Sequence, residues 1–554
     1  MTKTLDPVTT EVIGRHVLAA AEEMGVTLMR TAFSPNIKER NDFSTAVFNA
    51  KGEVVAQAEH VPIHLGSMIG AIESLQQRFP EDEIRPGDMF LANDPYNGGG
   101  SHLPDLNLVA PVFHDGRIVA YVANIAHHAD VGGMVPGSEA AVCESIFQEG
   151  LRLPPVRFVC AGELSRDIFE IVLLNSRTPE EREGDLNAQL AANHVGIRAV
   201  SALVERYGAE LFENALDSYL DFTERRFQAA VAALPDGSYK AEDFLSGDAM
   251  GTFARITCIV TVAAGHLNFD FNGTDPQLRT ARNIPNQALV ATVFCVVKAL
   301  LDPDAPANGG AFRVIGIDAE PGSIVQPVAP APVGTRSISC SVLSDVILVA
   351  LSQAISDRSF AGSGPHHLLV LAGTDPRTGR YFVDYETVAG AIGAQGHRDG
   401  IDAVRTLTSG SANLPVEALE HAYPVRVETY ALRTGSGGSG AHRGGDGIVR
   451  DYRILGDDIT VSLSGERQDV AAPGVEGGAD GATGLFMLDP AGTAQELPSA
   501  VQEQKLPRGS ILRVATPGGG GYGDPHDRDR ALVTRDVAYG YIGAQTARDV
   551  YGLS

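Results

Sequence analysis

The sequence predicts a multi-domain α+β (mixed α/β) protein, with helices in the N-terminal half and a glycine-rich, β-rich module at the C-terminal end. The first observation is length, because 554 residues exceed the roughly 250–300 at which a single hydrophobic core stops growing. The second is composition, since 44% hydrophobic and 20% charged residues are typical of globular proteins. The third is a change along the chain in glycine content and in the pattern of helix and strand signals, which indicates domains at 1–235, 236–420 and 421–554.

The N-terminal domain shows several helix signals. Asp6 followed by Pro7 predicts a helix start, because Asp caps free backbone N–H groups and Pro suits the first turn. A second helix is predicted from His64 to Phe79. Thr178-Pro-Glu-Glu181 has the spacing of a capping box and predicts the start of a third helix. Apolar residues at helical spacing predict a further helix from Glu210 to Leu234.

The other two domains contain more strand signals. The middle domain combines predicted strands with one apolar helix, at Ile256–Val262, Leu267–Phe271 and Asn286–Leu301. In the C-terminal domain 21 of the 94 residues from 430 to 523 are glycine, well above an average of about 7%. Short strands between these glycines are predicted at Val425–Leu432, Gly447–Ile454 and Ile459–Ser464.

Charge and hydropathy restrict the partners and the location. The 43 Lys and Arg residues against 69 Asp and Glu residues leave a net charge of −26, which argues against nucleic acid or an anionic membrane as partner. The most apolar stretch, Ala288–Leu301, is shorter than the about 20 residues of a membrane span and contains Lys298. Five separated cysteines without a C-x-x-C pair indicate reduced thiols. Because the first residues resemble no signal peptide, we expect a cytoplasmic protein.

The densest group of reactive side chains lies in two neighbouring segments, Asn93-Asp-Pro-Tyr-Asn-Gly-Gly-Gly-Ser-His-Leu-Pro-Asp105 and Ala126-His-His-Ala-Asp-Val-Gly-Gly133. Together they contain three histidines and three carboxylates, a combination that suits a divalent ion such as Zn, Mn or Fe(II). In His102-Leu-Pro-Asp105 the proline excludes a regular helix interior, so a stiff loop holds two potential ligands. The sequence therefore predicts a shared metal site, although each residue alone could be structural.

Two further features add candidates near this group. Val119–Ile125 is rich in strand formers, so His127 is predicted where a buried strand meets a loop, a common position for functional residues. Asp42 precedes another predicted strand and is either an additional ligand, a water-orienting base or a turn-forming residue. His60 and His64 flank Pro62 and are interpreted as structural from spacing alone.

The glycine-rich segments do not indicate a nucleotide site. Gly435-Ser-Gly-Gly-Ser-Gly440 matches G-x-G-x-x-G, but it leads into a predicted strand, whereas a dinucleotide motif must open a helix. Thr516–Asp524 lacks the Lys-Ser/Thr ending of a phosphate-binding loop. Cys143, the cysteine nearest the histidine pair, lies in an apolar segment and is not expected to be a nucleophile.

Several motifs, in one order along nearly the whole chain, resemble those of the hydantoinase B/oxoprolinase family. This family includes the B component of N-methylhydantoinase, the second half of 5-oxoprolinases and the alpha subunits of acetone carboxylase. The motifs are Glu39-Arg-Asn-Asp-Phe-Ser44, Asn93–Asp105, Ala126–Gly133, Arg182-Glu-Gly-Asp185, Asp270-Phe-Asn-Gly-Thr-Asp275, Ser436–Gly445 and Thr516–Pro525. Many relatives have a tryptophan in the segment equivalent to 390–400, and this chain has none, so the substrate is not carried over.

The resemblance implies an ATP-dependent hetero-oligomer. A separate A-type ATPase subunit, of the hydantoinase A kind, would phosphorylate the carbonyl oxygen of a cyclic amide, imide or ketone, and the B-type chain would complete the reaction with a divalent metal. It implies His102, Asp105 and His127 as metal ligands, with Asp42 as a further ligand or base. His128 and Asp130 are expected beside the ligands, where they would orient His127 or the substrate.

Three functions remain open at this point. The leading hypothesis is the metal-dependent hydrolase subunit of a hydantoinase or lactamase. The alternative within the family is the alpha-type subunit of an ATP-dependent ketone carboxylase. A third possibility is a non-catalytic scaffold of the ATPase subunit, which would have no need of the three predicted ligands.

Overall fold

The computed structural model describes residues 6–58, 60–355 and 359–553. Within these residues the chain forms eleven α-helices and twenty strands, and the strands are arranged in four sheets. The predicted multi-domain α+β class is confirmed. None of the helices in this described part combines the length and the apolarity that crossing a bilayer requires.

One seven-stranded antiparallel sheet organises the N-terminal part. Its strands are β1 (Phe43–Asn49), β2 (Val54–Ala58), β3 (Met89–Ala92), β4 (Asp105–His114), β5 (Arg117–His127), β6 (Val156–Cys160) and β7 (Glu163–Leu164). They are hydrogen bonded in the order β2-β1-β5-β4-β3-β6-β7. The helices of this part are α1 (Pro7–Thr31), α2 (Pro35–Lys38), α3 (His64–Arg78), α4 (Arg166–Leu174), α5 (Pro179–Tyr207) and α6 (Ala209–Ala232).

This sheet is buried on both faces, as β5 illustrates. Val122 and Ala126 belong to a core shared with α1, α5 and α6. Ala123 and Ile125, which alternate with them along the strand, belong to a second core that also contains α3 and the middle segment. Since both faces are covered, polar side chains at the strand ends lie in the interior of the protein.

The middle segment adds a four-stranded sheet and two apolar helices. Its elements are β8 (Gly237–Leu245), β9 (Ala254–Ala263), β10 (His266–Asp270), α7 (Asn286–Leu301), β11 (Ile315–Asp318) and α8 (Arg336–Ser352). The strand order is β11-β10-β9-β8, in which only the pair β10 and β11 is parallel among the pairings described. Helix α8 packs on α7 and on this sheet, and its N-terminal end approaches the seven-stranded sheet.

The C-terminal part is a β-rich module of two antiparallel sheets. Its elements are β12 (His367–Thr374), β13 (Tyr381–Val388), α9 (Val416–Ala422), β14 (Val425–Leu432), β15 (Ile448–Ile454), β16 (Ile459–Ser464), β17 (Leu485–Leu488), β18 (Gln495–Leu497), β19 (Ala500–Leu506), β20 (Ile511–Ala515), α10 (Arg530–Ala538) and α11 (Ala544–Asp549). The sheet orders are β13-β12-β16-β19 and β14-β15-β20-β17-β18. Side chains from both sheets share one hydrophobic core.

The glycine-rich loops of this module pack backbone against backbone. A Cβ atom on Gly444 would lie 1.9 Å from the carbonyl oxygen of Gly519, so no side chain fits there. Gly444 N–H donates to the carbonyl of Gly438, and Gly438 N–H donates to the carbonyl of Gly519. The loops therefore form a hydrogen-bonded structural core, and the expectation that they bind no nucleotide stays a prediction.

Most predicted elements of the N-terminal part are present. The Asp6 carboxylate caps α1 at the Thr9 N–H, and the helices predicted from His64 and from Glu210 are α3 and α6. The predicted capping box at Thr178 is wrong, because its side chain makes no capping hydrogen bond, although α5 does begin at Pro179. The three-domain division stays a prediction. Strand β12 pairs with β16 across the expected boundary at residue 420, so β12 and β13 belong to the same sheet as β16 and β19.

Candidate metal centre

Three neighbouring strands bring the predicted site residues to one end of the seven-stranded sheet. Asp105 is the first residue of β4 and His127 is the last residue of β5, and the two are direct partners in the antiparallel register. Asp42 immediately precedes β1, and its carbonyl accepts the His127 N–H at 3.0 Å. His102 lies in the tight turn before β4, where its carbonyl accepts the Asp105 N–H. Strand register thus places side chains that are distant in sequence next to one another.

The side chains of His102, Asp105 and His127 form a compact cluster. One potential ligand atom from each lies within 4.8 Å of the others, and all three residues are buried. His102 Nε2 and Asp105 Oδ1 lie 3.1 Å apart, and neither has another hydrogen-bond partner among the described residues. Metal–ligand bonds of about 2.0–2.2 Å place neighbouring ligand atoms about 3–3.5 Å apart. Two buried atoms that contact only each other at this separation fit a metal site, and a ring nitrogen of His127 lies within 4.8 Å of both as a third potential ligand.

The electrostatics of the cluster favour a cation. Burial and Arg336 act to lower the pKa of His102, but Asp105 and Glu139 outweigh them and raise it to about 9. Burial acts to raise the pKa of Asp105, but His102 and Arg336 hold it well below its usual value. The carboxylates therefore stabilise positive charge between them. A metal ion bound here would compete with the proton on His102.

Glu139 connects the two histidines and was not predicted from the sequence. Its Oε1 atom is 2.9 Å from His102 Nδ1 and 3.3 Å from His127 Nε2. Burial acts to raise the pKa of Glu139, but the hydrogen bonds from both histidines lower it to about 2. A carboxylate on Nδ1 of His102 leaves the lone pair of its Nε2 free for a ligand on the opposite side of the ring.

Two further residues hold the ring of His127. Asn36 Nδ2 lies 3.0 Å from His127 Nδ1 and donates to the His127 carbonyl at 2.7 Å. Tyr385 of β13 stacks on the same imidazole. Asn36 and Tyr385 have no sequence motif of their own, and Tyr385 belongs to the C-terminal module, so neither was found from the sequence.

Arg336, the first residue of α8, neutralises Asp105. Its NH2 group is 2.7 Å from Asp105 Oδ2 and 2.8 Å from the hydroxyl oxygen of Ser101, which itself donates to Asp105 Oδ2. The adjacent backbone is also involved, because His102 Nδ1 lies 3.1 Å from the carbonyl oxygen of Gly334. The middle segment therefore completes a site whose predicted ligands all come from the N-terminal part.

The structure places Asp42 beside the cluster through His64. His64 Nε2 is 3.6 Å from Asp42 Oδ1 and 3.7 Å from Asp105 Oδ1. Asp42 is also 4.0 Å from a guanidinium nitrogen of Arg40. The roles of Asp42 as ligand or base stay predictions. His64, which spacing alone suggested to be structural, lies against both carboxylates, and a histidine near a proline was too weak a signal to reveal this.

His128 and Asp130 contact other groups. His128 Nε2 lies 3.0 Å from Gln189 Oε1, and burial followed by Arg182 lowers the pKa of His128 to about 4. Asp130 binds the guanidinium and the backbone N–H of Arg177. The ring of His127 is held instead by Asn36, Glu139 and Tyr385, so any catalytic role of His128 or Asp130 remains a prediction. Burial and Glu149 raise the pKa of Cys143 to about 12, which makes this thiol a poor nucleophile.

Fold and site together define a multi-domain α+β protein with a buried His–His–Asp cluster at the end of an antiparallel sheet. The chain belongs to the hydantoinase B/oxoprolinase family, whose family model matches residues 6–525.

Several relatives match almost the whole chain. An uncharacterized protein of Methanocaldococcus jannaschii is 37% identical over 98% of this chain and 95% of its own length. The beta subunit of the caprolactamase of Pseudomonas jessenii is 32% identical over 99% of this chain and 96% of its own length. The 5-oxoprolinase of Dictyostelium discoideum is 32% identical over 94% of this chain, which corresponds to 41% of that longer protein.

Two solved structures have the same fold. The crystal structure of the ATP-dependent caprolactamase from Pseudomonas jessenii superposes with a TM-score of 0.92 at 29% identity, over 99% of this chain and 96% of that chain. Acetone carboxylase, in a nucleotide-free structure, superposes with a TM-score of 0.91 at 20% identity, over 99% of this chain and 79% of that chain. The family thus contains ATP-dependent enzymes that act on cyclic amides, and it shares its fold with a ketone carboxylase.

Proposed function

We propose that this chain is the metal-dependent subunit of an ATP-dependent hydantoinase or lactamase of the 5-oxoprolinase type. It would hydrolyse the C–N bond of a cyclic amide or imide after an A-type ATPase subunit has phosphorylated the carbonyl oxygen. The observation that carries this proposal is the buried cluster of His102, Asp105 and His127. Relatives named caprolactamase and 5-oxoprolinase support the substrate class.

The proposed chemistry divides the work between two subunits. An amide is a poor electrophile, and phosphorylation of its oxygen makes the carbonyl carbon open to attack by water. The C–N bond would then break as the ring nitrogen takes up a proton, and the resulting acyl phosphate would be hydrolysed to a carboxylate and phosphate. A bound divalent ion, such as Zn, Mn or Fe(II), would lower the pKa of water from about 15.7 towards about 7 and polarise the substrate. His102, Asp105 and His127 would hold this ion, while Glu139 and Arg336 would keep His102 and Asp105 in place.

The residues around the cluster have defined roles in this proposal. Asp42, with its Oδ1 atom 3.6 Å from His64 Nε2, would accept the proton that the attacking water loses. The same His64 nitrogen lies 3.7 Å from Asp105 Oδ1, so the imidazole would keep the two carboxylates in place. The cluster is almost inaccessible to solvent, so the activated carbonyl would be shielded from bulk water.

The proposal is tested by reconstituting the complex from this chain and its A-type partner. We expect ATP-dependent ring opening of 5-oxoproline or caprolactam by the complex and none by either chain alone. Prolonged treatment with a chelator should abolish ring opening, and one divalent metal should restore it. Full activity of metal-free complex, or a purified chain that never binds a transition metal, would favour a scaffold and contradict the proposal.

A ketone carboxylase is the second candidate, because the whole fold superposes on that of acetone carboxylase. In that reaction the same cluster would serve the attack of an enolate on CO2 derived from bicarbonate. Incorporation of labelled bicarbonate into acetone by the reconstituted complex, without ring opening of any lactam, would select the carboxylase. The expected location in the cytoplasm is compatible with either reaction, since both consume ATP.

A further inference from the structure

A cavity of about 460 Å³, here called the Arg405 cavity, lies between α3, α7 and the segment 405–410. Pro62, Leu65 and Phe294 contribute apolar wall, and Arg405 and Ser409 contribute polar wall. The volume is in the range of small-molecule sites. A larger cavity of about 630 Å³ adjoins it and shares part of its lining.

Two residues of the Arg405 cavity wall, Leu65 and Arg405, are connected to residues that contact the cluster. Leu65 follows His64, which lies against Asp42 and Asp105. Arg405 and Arg40 both lie 3.3 Å from the carbonyl oxygen of Ala412, and Arg40 also lies 4.0 Å from Asp42. The Ala412 carbonyl and Arg40 therefore link Arg405 to Asp42 beside the metal centre.

Arg405 is a cation without an anionic partner among the described residues. Its guanidinium donates to the hydroxyl groups of Ser409 and Ser411 and to the carbonyl oxygens of Thr387 and Ala412. No carboxylate of the described chain lies within ion-pair distance of it. Burial, with repulsion from Arg40, lowers the pKa of Arg405 to about 9, so it is still charged at neutral pH. Arg405 is half-buried and faces the cavity, so its charge is stabilised when an anion binds there.

We propose that the Arg405 cavity is a substrate site in front of the metal centre, and that Arg405 binds an anionic group of the ligand. This inference rests on the proposed function and specifies its substrate class: a cyclic amide that bears a carboxylate, or that carries the phosphoryl group added by the partner. The apolar wall of Pro62, Leu65 and Phe294 holds the ring. The positive charge of the guanidinium attracts the carboxylate or phosphoryl oxygens, and its Nε–H, which makes none of the four hydrogen bonds above, is the donor left for them.

Binding to the full-length chain tests the assignment. Because the chain contains no tryptophan, Leu407→Trp on the cavity wall provides a single fluorescent reporter. The probes are 5-oxoproline, the uncharged ring 2-pyrrolidinone, and inorganic phosphate. In this background we expect Arg405→Gln to weaken at least one anionic probe tenfold or more and to leave 2-pyrrolidinone within twofold. The exposed Arg398→Gln serves as the matched control.

The outcomes separate the two possible anions. Loss of 5-oxoproline binding alone assigns Arg405 to a substrate carboxylate, and loss of phosphate binding alone assigns it to the phosphoryl group. Equal binding of both anions to the parent and to Arg405→Gln overturns the proposal, as does the failure of the parent to bind either anion.

A second variant tests the proposal even if Arg405→Gln does not fold. Ser409 Oγ lies 3.3 Å from Arg405 NH1, so Ser409→Asp supplies a counter-ion from within the chain. We expect this variant to fold with an unchanged or higher melting temperature and to lose anion binding. Anion binding by folded Ser409→Asp contradicts the proposal. The His102→Ala variant should still bind the anion, so loss of turnover and loss of this site are distinguishable.

Discussion

The phenol ring of Tyr385 stacks on the imidazole of His127, with ring centroids 4.3 Å apart and ring planes 19° apart. His127 ends a strand of the N-terminal sheet, whereas Tyr385 belongs to a strand of the C-terminal module. Arg40 strengthens the contact between the two parts, because it donates to the Tyr385 carbonyl at 2.7 Å. The candidate metal centre is therefore assembled from segments on both sides of the interface.

The stacking contact predicts that the ring of Tyr385, rather than its hydroxyl group, supports metal binding. We expect Tyr385→Phe to retain wild-type metal affinity within about threefold, since it keeps the ring. Tyr385→Ala should weaken metal binding about tenfold or more and destabilise the fold by about 3–5 kcal/mol. Competition with a chromogenic chelator and urea unfolding measure these effects, with the exposed Tyr539→Ala as control. Unchanged affinity in Tyr385→Ala would mean that the stack has no role in metal binding.

The cluster itself predicts a separation of metal-dependent chemistry from ATP hydrolysis. His102→Ala or Asp105→Ala should remove most of the bound metal and abolish product formation by the complex. ATP hydrolysis by the partner should remain partly intact, because neither residue belongs to the ATPase chain. Metal analysis and parallel assays of phosphate and product test this, with the exposed His526→Ala as control. Normal product formation by either variant would refute the assignment of the cluster.

The position of Glu139 predicts that its charge supports metal binding without being a metal ligand. Glu139→Gln keeps the size of the side chain but removes the negative charge beside His102 and His127. We expect metal affinity to fall about 10–100-fold, with turnover restored when excess metal is supplied. Glu144→Gln, an exposed glutamate of the same loop, should change neither quantity. If added metal does not rescue the turnover of Glu139→Gln, Glu139 acts on the reaction and not on the metal.

The burial of Asp345 in α8 predicts a pH dependence of stability. Burial raises its pKa from the ordinary 3.8 to about 6, although Arg467 and Ser363 oppose this. Because the folded chain holds this proton more tightly than the unfolded chain, its contribution is complete below about pH 4 and is lost as the pH rises through about 6. The change amounts to about 3 kcal/mol at most. Asp345→Asn should therefore flatten the unfolding free energy between pH 4 and 8, whereas exposed Asp457→Asn should retain the wild-type slope.

Much of the candidate site followed from local sequence, because its central residues lie in two glycine-rich segments that flank one β-hairpin. His102 and Asp105 share a turn, and β4 and β5 pair directly, so the register brings His127 to Asp105. The start of a helix could also be predicted from local sequence where the capping bond forms, as at Asp6. Thr178 shows the limit of such signals, since a capping-box sequence can precede a helix without making the capping bond.

The supporting residues could not be predicted because their contacts depend on the packing of whole segments. Arg336 is 231 residues from Asp105 in the sequence, and nothing in the local pattern at the start of α8 indicates a carboxylate partner. Tyr385 occupies an alternating strand position that looks like any other core aromatic residue. Glu139 lies in an irregular loop, where one acidic residue is indistinguishable from its exposed neighbour Glu144.

The ion pair between Arg336 and Asp105 restricts how this polypeptide can be divided. A fragment that stops at residue 235 would include every residue of the His–His–Asp group, but its buried aspartate would lack the guanidinium that compensates it. It would also lack the aromatic ring over His127. Gene fission, circular permutation or protease nicking should therefore preserve function only where the two pieces stay associated through both contacts.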